Sequence, residues 1–312
     1  LEYDKIKQAI RQFVATENGA KELRELVPSN DENAVRSALK QTLDAVNIYR
    51  LKNGIPVPRL EDITEALQRL KIEAALNGQE LAQIGRILRA TRTVINFFDD
   101  LESEEIEIVE LNQVIEQLVT IPEVEERLSN SIEGNGHLLN SASSELRRIR
   151  ASITRIESDV RSRMEKFTRG NNVKYLSEPI VTIRNERYVI PVRVEYRSKF
   201  GGVVHDQSSS GQTLYVEPES VVDLNNELRQ NQVAEVHEEQ RILQELSELV
   251  APYTDTLKGN SRILGHLDLL NAKAQYAHKL KATEPQISVS NEINLREARH
   301  PLIDQKKVVS ND

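Results

Sequence analysis

From Leu139 onward one side of the chain is written in a strict three-four rhythm. Leu139, Ala142, Leu146, Ile149, Ile153, Ile156 and Val160 keep it, and Met164 and Phe167 continue it. Apolar residues at that spacing line one stripe of a helix and are buried only against another helix, so the pattern specifies a coiled-coil seam that needs a partner. A second run follows in the same chain: Leu224, Leu228, Val236, Leu243, Leu246 and Val250. It begins near Ser220, which makes a Ser-x-x-Asp capping pattern with Asp223, and it stops at Pro252. Each helix is about 30 residues long, or roughly 45 Å at 1.5 Å per residue. Asn231 and Gln232 interrupt the second stripe, where polar side chains set register rather than bind a ligand.

The segment between the two runs has the opposite character. Ile180 to Arg184, Tyr188 to Tyr196 and Thr213 to Val216 are rich in β-formers with a period of two. The alternation puts Tyr188, Ile190, Val192, Val194 and Tyr196 on one face, with Arg187, Arg193, Glu195 and Arg197 on the other. Pro191 has no amide proton, which assigns its strand to an edge or a bulge. A helix going out, a β-rich segment and a helix of matching length coming back make an antiparallel arm with a tip.

The residues before Glu133 read as helices broken by turn signals. Tyr3, Ile6, Ile10 and Phe13 form one stripe stopped by Asn18-Gly19. Val35, Leu39, Val46 and Tyr49 form another, stopped by Asn53-Gly54, and Asn77-Gly78, Pro122 and Gly134-Asn135-Gly136 punctuate the rest. Ile263, Leu267, Leu270 and Ala274 return the chain to this core. Hydrophobic residues make up 38% and charged residues 29%, against roughly 45–50% and about 25% in an average globular domain, which suits helices with much solvated surface. The fold class expected is therefore mostly α: a helical core with a long antiparallel coiled coil carrying a small β-rich module at its tip.

Several function classes are set aside by composition. There is no cysteine, hence no disulfide framework or thiolate metal site. The six histidines are scattered without metal-ligand spacing. No apolar run approaches the ~18 residues of a membrane span, and the first residues are amphipathic rather than a leader, so the expectation is a cytoplasmic protein without a membrane partner. Leu1 in place of a methionine, and an end at Asp312 without a helix stop or polar tail, suggest a fragment.

Charge is unevenly placed. Residues 145 to 200 carry 14 Lys or Arg and 7 Asp or Glu, a net of +7, so the remainder carries −15 to reach the total of −8. One reading is a solubilised helix; the other is a surface that follows phosphates. On the second reading the candidates are Arg155, Arg161 and Arg163 along the helix and Arg187, Arg193, Arg197 and Lys199 at the tip. Ser208, Ser209 and Ser210 could add hydroxyl contacts to phosphates. With His205 and Asp206 the same serines evoke a hydrolytic triad, but convergent geometry seldom comes from one loop, and a Ser- and Gly-rich turn is the simpler account. No catalytic and no metal-binding residue is assigned.

The segment Arg187-Tyr188-Val189-Ile190-Pro191-Val192, followed by Phe200-Gly201-Gly202-Val203-Val204-His205-Asp206-Gln207-Ser208-Ser209-Ser210-Gly211-Gln212-Thr213-Leu214-Tyr215-Val216-Glu217-Pro218, closely resembles the signature of the second bacterial paralogue branch of the MutS family. Glu297-Ala298-Arg299-His300-Pro301-Leu302 and Asn311-Asp312 are similar to the strand and loop that open the family's ATPase domain. The resemblance implies a helical core over 1–136, an ascending lever helix over 137–170, a β-rich clamp over 171–218 and a returning lever helix over 219–252. The core would then return over 253–285, and 286–312 would begin the ATPase domain. It makes Arg299-His300-Pro301 a structural corner rather than a ligand cluster. It also implies a homodimeric ATPase and endonuclease that embraces double-stranded or branched DNA, suppresses recombination, and recognises and splits collided ribosomes through their RNA. ATP and magnesium belong to that full-length protein. No Gly-x-x-x-x-Gly-Lys-Ser/Thr loop occurs here, so neither cofactor nor enzymatic activity is assigned to these residues. Val308 and Asn311 are the nucleotide-contact candidates; Val308 stands near where many relatives place an adenine-stacking aromatic, and Ser310 where relatives often have proline. The alternative function is a coiled-coil spacer whose tip docks on a protein or on the other subunit.

Overall fold

The computed structural model describes residues 2–106, 108–288, 292–304 and 306–310. It is mostly α-helical with one small antiparallel sheet, and it divides into two compact units. One runs from Leu138 to Glu245; the other is built from the chain on either side of that stretch.

The discontinuous unit contains helices α1 (Tyr3–Arg11), α2 (Glu17–Glu25), α3 (Glu32–Lys52), α4 (Thr64–Leu70), α5 (Gly78–Ser103), α6 (Leu111–Ile115) and α7 (Pro122–Ser129). The second unit holds α8 (Ser144–Thr168) and the strands β1 (Thr182–Arg184), β2 (Arg187–Arg193), β3 (Val203–Gln207) and β4 (Thr213–Glu217). Helix α9 (Glu219–Val250) follows β4, and α10 (Thr254–Leu280) completes the discontinuous unit. Capping explains several boundaries. Asn77 and Glu80 form a reciprocal capping box at the start of α5, Asp31 caps α3, and Asn53 ends α3 in the left-handed conformation.

The core of the discontinuous unit is organised around α10, which packs against α1 to α5. Leu264, Leu267, Leu269, Leu270, Ala272 and Ala274 are all fully buried, so α10 is apolar on most of its circumference. Its buried carboxylate, Asp268, accepts the amides of Ala15 and Thr16 and the Thr16 hydroxyl. Burial pushes that carboxyl up and these bonds oppose the shift. Thr16 in turn caps α2 by accepting from the Gly19 amide. Asn18-Gly19 is thus not the stop that the sequence pattern predicts but part of the first turn of α2. A Cβ on Gly19 would stand 2.8 Å from the Gly265 carbonyl oxygen, and glycine permits the close approach of α2 to α10.

In the second unit α8 and α9 run antiparallel. Cross-links climb one helix as they descend the other: Ser143 to Glu238, Arg150 to Glu235 and Glu239, Arg155 to Glu227, and Arg163 to the Ser220 carbonyl. Ile156, Val160 and Met164 of α8 pack with Val221 and Leu228 of α9 and with Leu176, Ile190, Val192, Phe200 and Val216. Three details differ from the sequence pattern. Helix α8 starts only at Ser144, because Ser143 caps it by accepting from the Leu146 amide; Leu139 and Ala142 lie in the preceding turn. Helix α9 starts at Glu219, so Ser220 sits inside its first turn rather than at its cap. Val236 is 52% exposed; the buried polar residues of α9 are Glu238, which bonds Ser143 at the start of α8, and Asn225, which bonds the sheet, while Asn231 bonds the Glu227 carbonyl of its own helix.

The sheet order is β1-β2-β4-β3, all antiparallel. Pro191 therefore occupies an internal strand and not an edge. It is tolerated because it lies beyond the end of β1, where its carbonyl accepts from Ser177 and no ladder partner is deprived of a donor. The alternation expected from Tyr188 to Tyr196 fails after Arg193, where the chain turns into a 3-10 helix at Val194–Lys199. Strand β2 is buried on both faces from Val189 to Val192. Strand β3 escapes the sequence pattern because its residues are mostly exposed.

The α2–α10 contact gives a test. Gly265→Val would drive a side chain into Asn18 Cβ at 2.5 Å and the Gly19 amide at 2.9 Å, and should destabilise by about 3 kcal/mol. Gly259, on the same helix with nothing within 4 Å, should instead gain up to about 1 kcal/mol when changed to Ala. Urea unfolding of the two variants measures both.

Candidate nucleic-acid interface

The basic residues of the second unit sort by what holds them. Arg187 donates to Glu217 Oε1 at 2.8 Å and to Asn226 Oδ1 at 2.7 Å. Arg193 donates to the Leu176 carbonyl, and Arg197 to the carbonyls of Phe200 and Gly202. Arg187 and Arg197 make two such bonds each and tie loops and strands together, whereas Arg193 is exposed and donates only through Nε, with donors left over. Along α8, Arg155 reaches Glu227 at 3.3 Å and Arg163 the Ser220 carbonyl at 3.0 Å, both from exposed positions with donors to spare. Arg161 and Lys199 are exposed and make no hydrogen bond or ion pair among the described residues. Lys166 and Arg147 share that property and are missed by the sequence reading. Their only sequence signal is membership of the basic stretch.

At the centre of the sheet lies Glu217, at the end of β4 and 1% exposed. His205 of β3 bonds its Oε2 at 2.5 Å, and Arg187 of β2 and Asn225 of α9 bond its Oε1. Burial pushes this carboxyl up, but the bonds from His205, Arg187 and Asn225 together outweigh burial and hold it below its ordinary value. Three strands and a helix thus share one buried charge.

The serine turn is built for backbone closure. Ser208 and Thr213 join β3 to β4 through the Ser208 amide to the Thr213 carbonyl and the Thr213 amide to Ser208 Oγ, with Gly211 at φ 71°. Ser209 and Ser210 are exposed at its apex. His205 is engaged with Glu217 and Asp206 with Arg184, and among the described residues neither bonds a serine, so the triad geometry is not formed.

Comparison with known proteins bears on all of this. The chain is 94% identical over all 312 residues to the endonuclease MutS2 of Pediococcus pentosaceus, 56% to that of Levilactobacillus brevis and 46% to that of Enterococcus faecalis. The chain belongs to the MutS2 family. It spans 40% of the length of these relatives. No family model matches it. Within this MutS2-family chain the residues after α10 form no helix or strand where described, and Arg299 donates to the Leu280 carbonyl at the end of α10. Val308 is half-buried and its amide bonds the Asp304 carbonyl, while Asn311 lies outside the described residues. Among the described residues no three His, Asp or Glu are grouped to hold a metal. No described helix is long and apolar enough to cross a membrane.

The Glu217 network is testable by pH. Its lowered carboxyl value means that the stabilisation is present above the ordinary glutamate value of 4.5 and is lost as pH falls below it. Glu217→Gln should weaken the β module by about 2 to 3 kcal/mol at neutral pH, since a carboxylate bonded to Arg187 is removed, and should flatten its acid sensitivity. Amide hydrogen exchange of β2 and β4, at neutral pH and in acid, reads both effects.

Proposed function

We propose that this chain is the nucleic-acid-holding lever and clamp of a MutS2-family ATPase. The supporting observation is the division of labour among its cations: Arg187 and Arg197 are engaged in holding the β module together, whereas Arg161, Lys166 and Lys199 stand exposed and make no hydrogen bond or ion pair among the described residues. Unpaired cations on a rigid frame meet phosphates without breaking internal bonds, and such contacts read backbone rather than base sequence. The ligand is double-stranded or branched DNA, held between the arms of two subunits, and the same chemistry extends to ribosomal RNA on a collided ribosome. ATP and magnesium are bound by the part of the protein beyond this chain, which also carries the ATPase and endonuclease activities, and recombination suppression is the outcome of closure on branched DNA.

The alternative, a spacer whose tip docks on protein, draws support from Ile183, 52% exposed beside half-buried Tyr188. The two readings separate on salt. In low-salt titrations of full-length protein against duplex DNA, Arg161→Glu with Lys199→Glu should weaken binding to every sequence alike and lower the salt slope by roughly two. Arg187→Glu should act differently, loosening the β module while leaving the slope largely unchanged. Equal affinities for wild type and the double variant would remove the clamp reading in favour of protein docking.

A further inference from the structure

Where β1 and β2 pass alongside the helix pair, the second unit leaves an open cleft of about 520 Å³. Its apolar surface is contributed from two sides. Val233 and Val236 of α9 are 41% and 52% exposed, and Ile183 of β1 is 52% exposed, with the ring of Tyr188 half-buried beside it. Isolated exposed valines need no explanation, but three branched side chains and a tyrosine lining one concavity form a patch. The volume lies within the range of sites that take a bulky organic group.

The polar groups of the same cleft say what kind of group that is. Two carboxylates line it, Glu157 of α8 and Glu186 of the β1–β2 turn, together with one guanidinium, Arg229, and the imidazole of His237. Arg229 is already paired with Glu186 at 2.8 Å, so these two offset each other. Glu157 is half-buried and makes no hydrogen bond or ion pair among the described residues, Arg161 one turn along α8 included. Burial raises the Tyr188 phenol, the nearby Glu157 charge raises it further, and the Arg161 charge opposes both. A carboxylate without a hydrogen-bond or ion-pair partner beside apolar side chains is complementary to a cation. The cleft thus differs from the exposed cations of α8 and the tip in presenting a carboxylate without a hydrogen-bond or ion-pair partner among the described residues.

We propose that this cleft is a docking site for a protein partner, and that its occupant is a segment presenting a large apolar side chain next to an arginine or lysine, the apolar group lying on Ile183, Val233 and Val236 and the cation meeting Glu157. The proposal does not require the cations of α8 and the tip to contact nucleic acid, and the charge of Arg161, which reaches Tyr188, works against the cation it places on Glu157.

The test titrates acetyl-Phe-Arg-amide and acetyl-Phe-Glu-amide into full-length protein labelled at Ile and Val methyl groups, followed by NMR. The arginine probe should shift the Ile183, Val233 and Val236 methyls, and the glutamate probe should bind them at least threefold more weakly. Glu157→Gln, at a position without internal bonds to lose, should remove most of that difference, since one ion pair at a partly exposed site accounts for about a threefold change in affinity. Val236→Arg, which fills the cleft with a cation from an exposed position, should abolish the shifts. Lys199→Glu should leave them unchanged. Absence of shifts at these three methyls, equal affinity for the two probes, or indifference to Glu157→Gln would each overturn the proposal. So would the same methyls shifting with duplex DNA, or with protein concentration alone, since the occupant would then be nucleic acid or a second copy of the chain.

Discussion

A carboxylate 1% exposed at the end of β4 is the constraint on which the β module depends. Glu217 cannot stay ionised there without partners, because a buried charge left uncompensated costs several kcal/mol. Each partner comes from a different element: His205 from β3, Arg187 from β2 and Asn225 from α9. One buried charge therefore fixes three strands to the helix that follows them, in a sheet too small to supply a large apolar core of its own. The requirement also reaches the function. It engages Arg187 in an internal ion pair, and the carbonyls of Phe200 and Gly202 engage Arg197 in a comparable way.

How much of this is legible in the sequence follows from what each signal measures. Periodicity reports which side of a helix is apolar, so the stripes of α1, α3, α8 and α10 are readable, as is the left-handed stop at Asn53. It does not report which apolar side is covered, and Val236 reads as part of the inner seam although it faces an open cleft. Turn chemistry misleads at Asn18-Gly19, where glycine serves close helix approach rather than a stop. Pro191 misleads because the rule concerns ladder donors, and its position beyond the end of β1 leaves no ladder bond to lose. The basic excess of the arm is visible as a count, but a count does not separate arginines spent on carbonyls from lysines left in water. Only the structure distinguishes Arg197 from Lys199.

The polar residues of the helix pair show the same limit. Asn231 and Gln232 draw attention because they interrupt an apolar run, yet Asn231 is turned to its own helix. The buried polar residues of α9 are instead Glu238, 9% exposed and bonded across the pair to Ser143, and Asn225, 2% exposed and bonded to the sheet. Glu238 is held well below the ordinary carboxylate range by Arg241, with Ser143 adding a second bond against the cost of burial. Such groups add little net stability and much specificity, since a shifted register would strand them without partners.

That distribution bears on how the pair could move. The bonds from Ser143, Arg150, Arg155 and Arg163 are spread along most of α8, and each reaches a different point of α9. Sliding one helix past the other by a turn, about 5.4 Å, would break all of them together. Bending at one place would break only one or two. Individually the exposed pairs contribute little, about 0.2–1 kcal/mol each, but the Ser143–Glu238 and Arg150 contacts are partly shielded, and a slide exacts the whole set at once. The pair is thereby built to resist ratcheting between its helices and to carry a displacement at one end to the other as a unit. In the proposed lever that is the property required, because a phosphate contact at Lys199 can be coupled to distant residues only through a helix pair that does not absorb the motion in between.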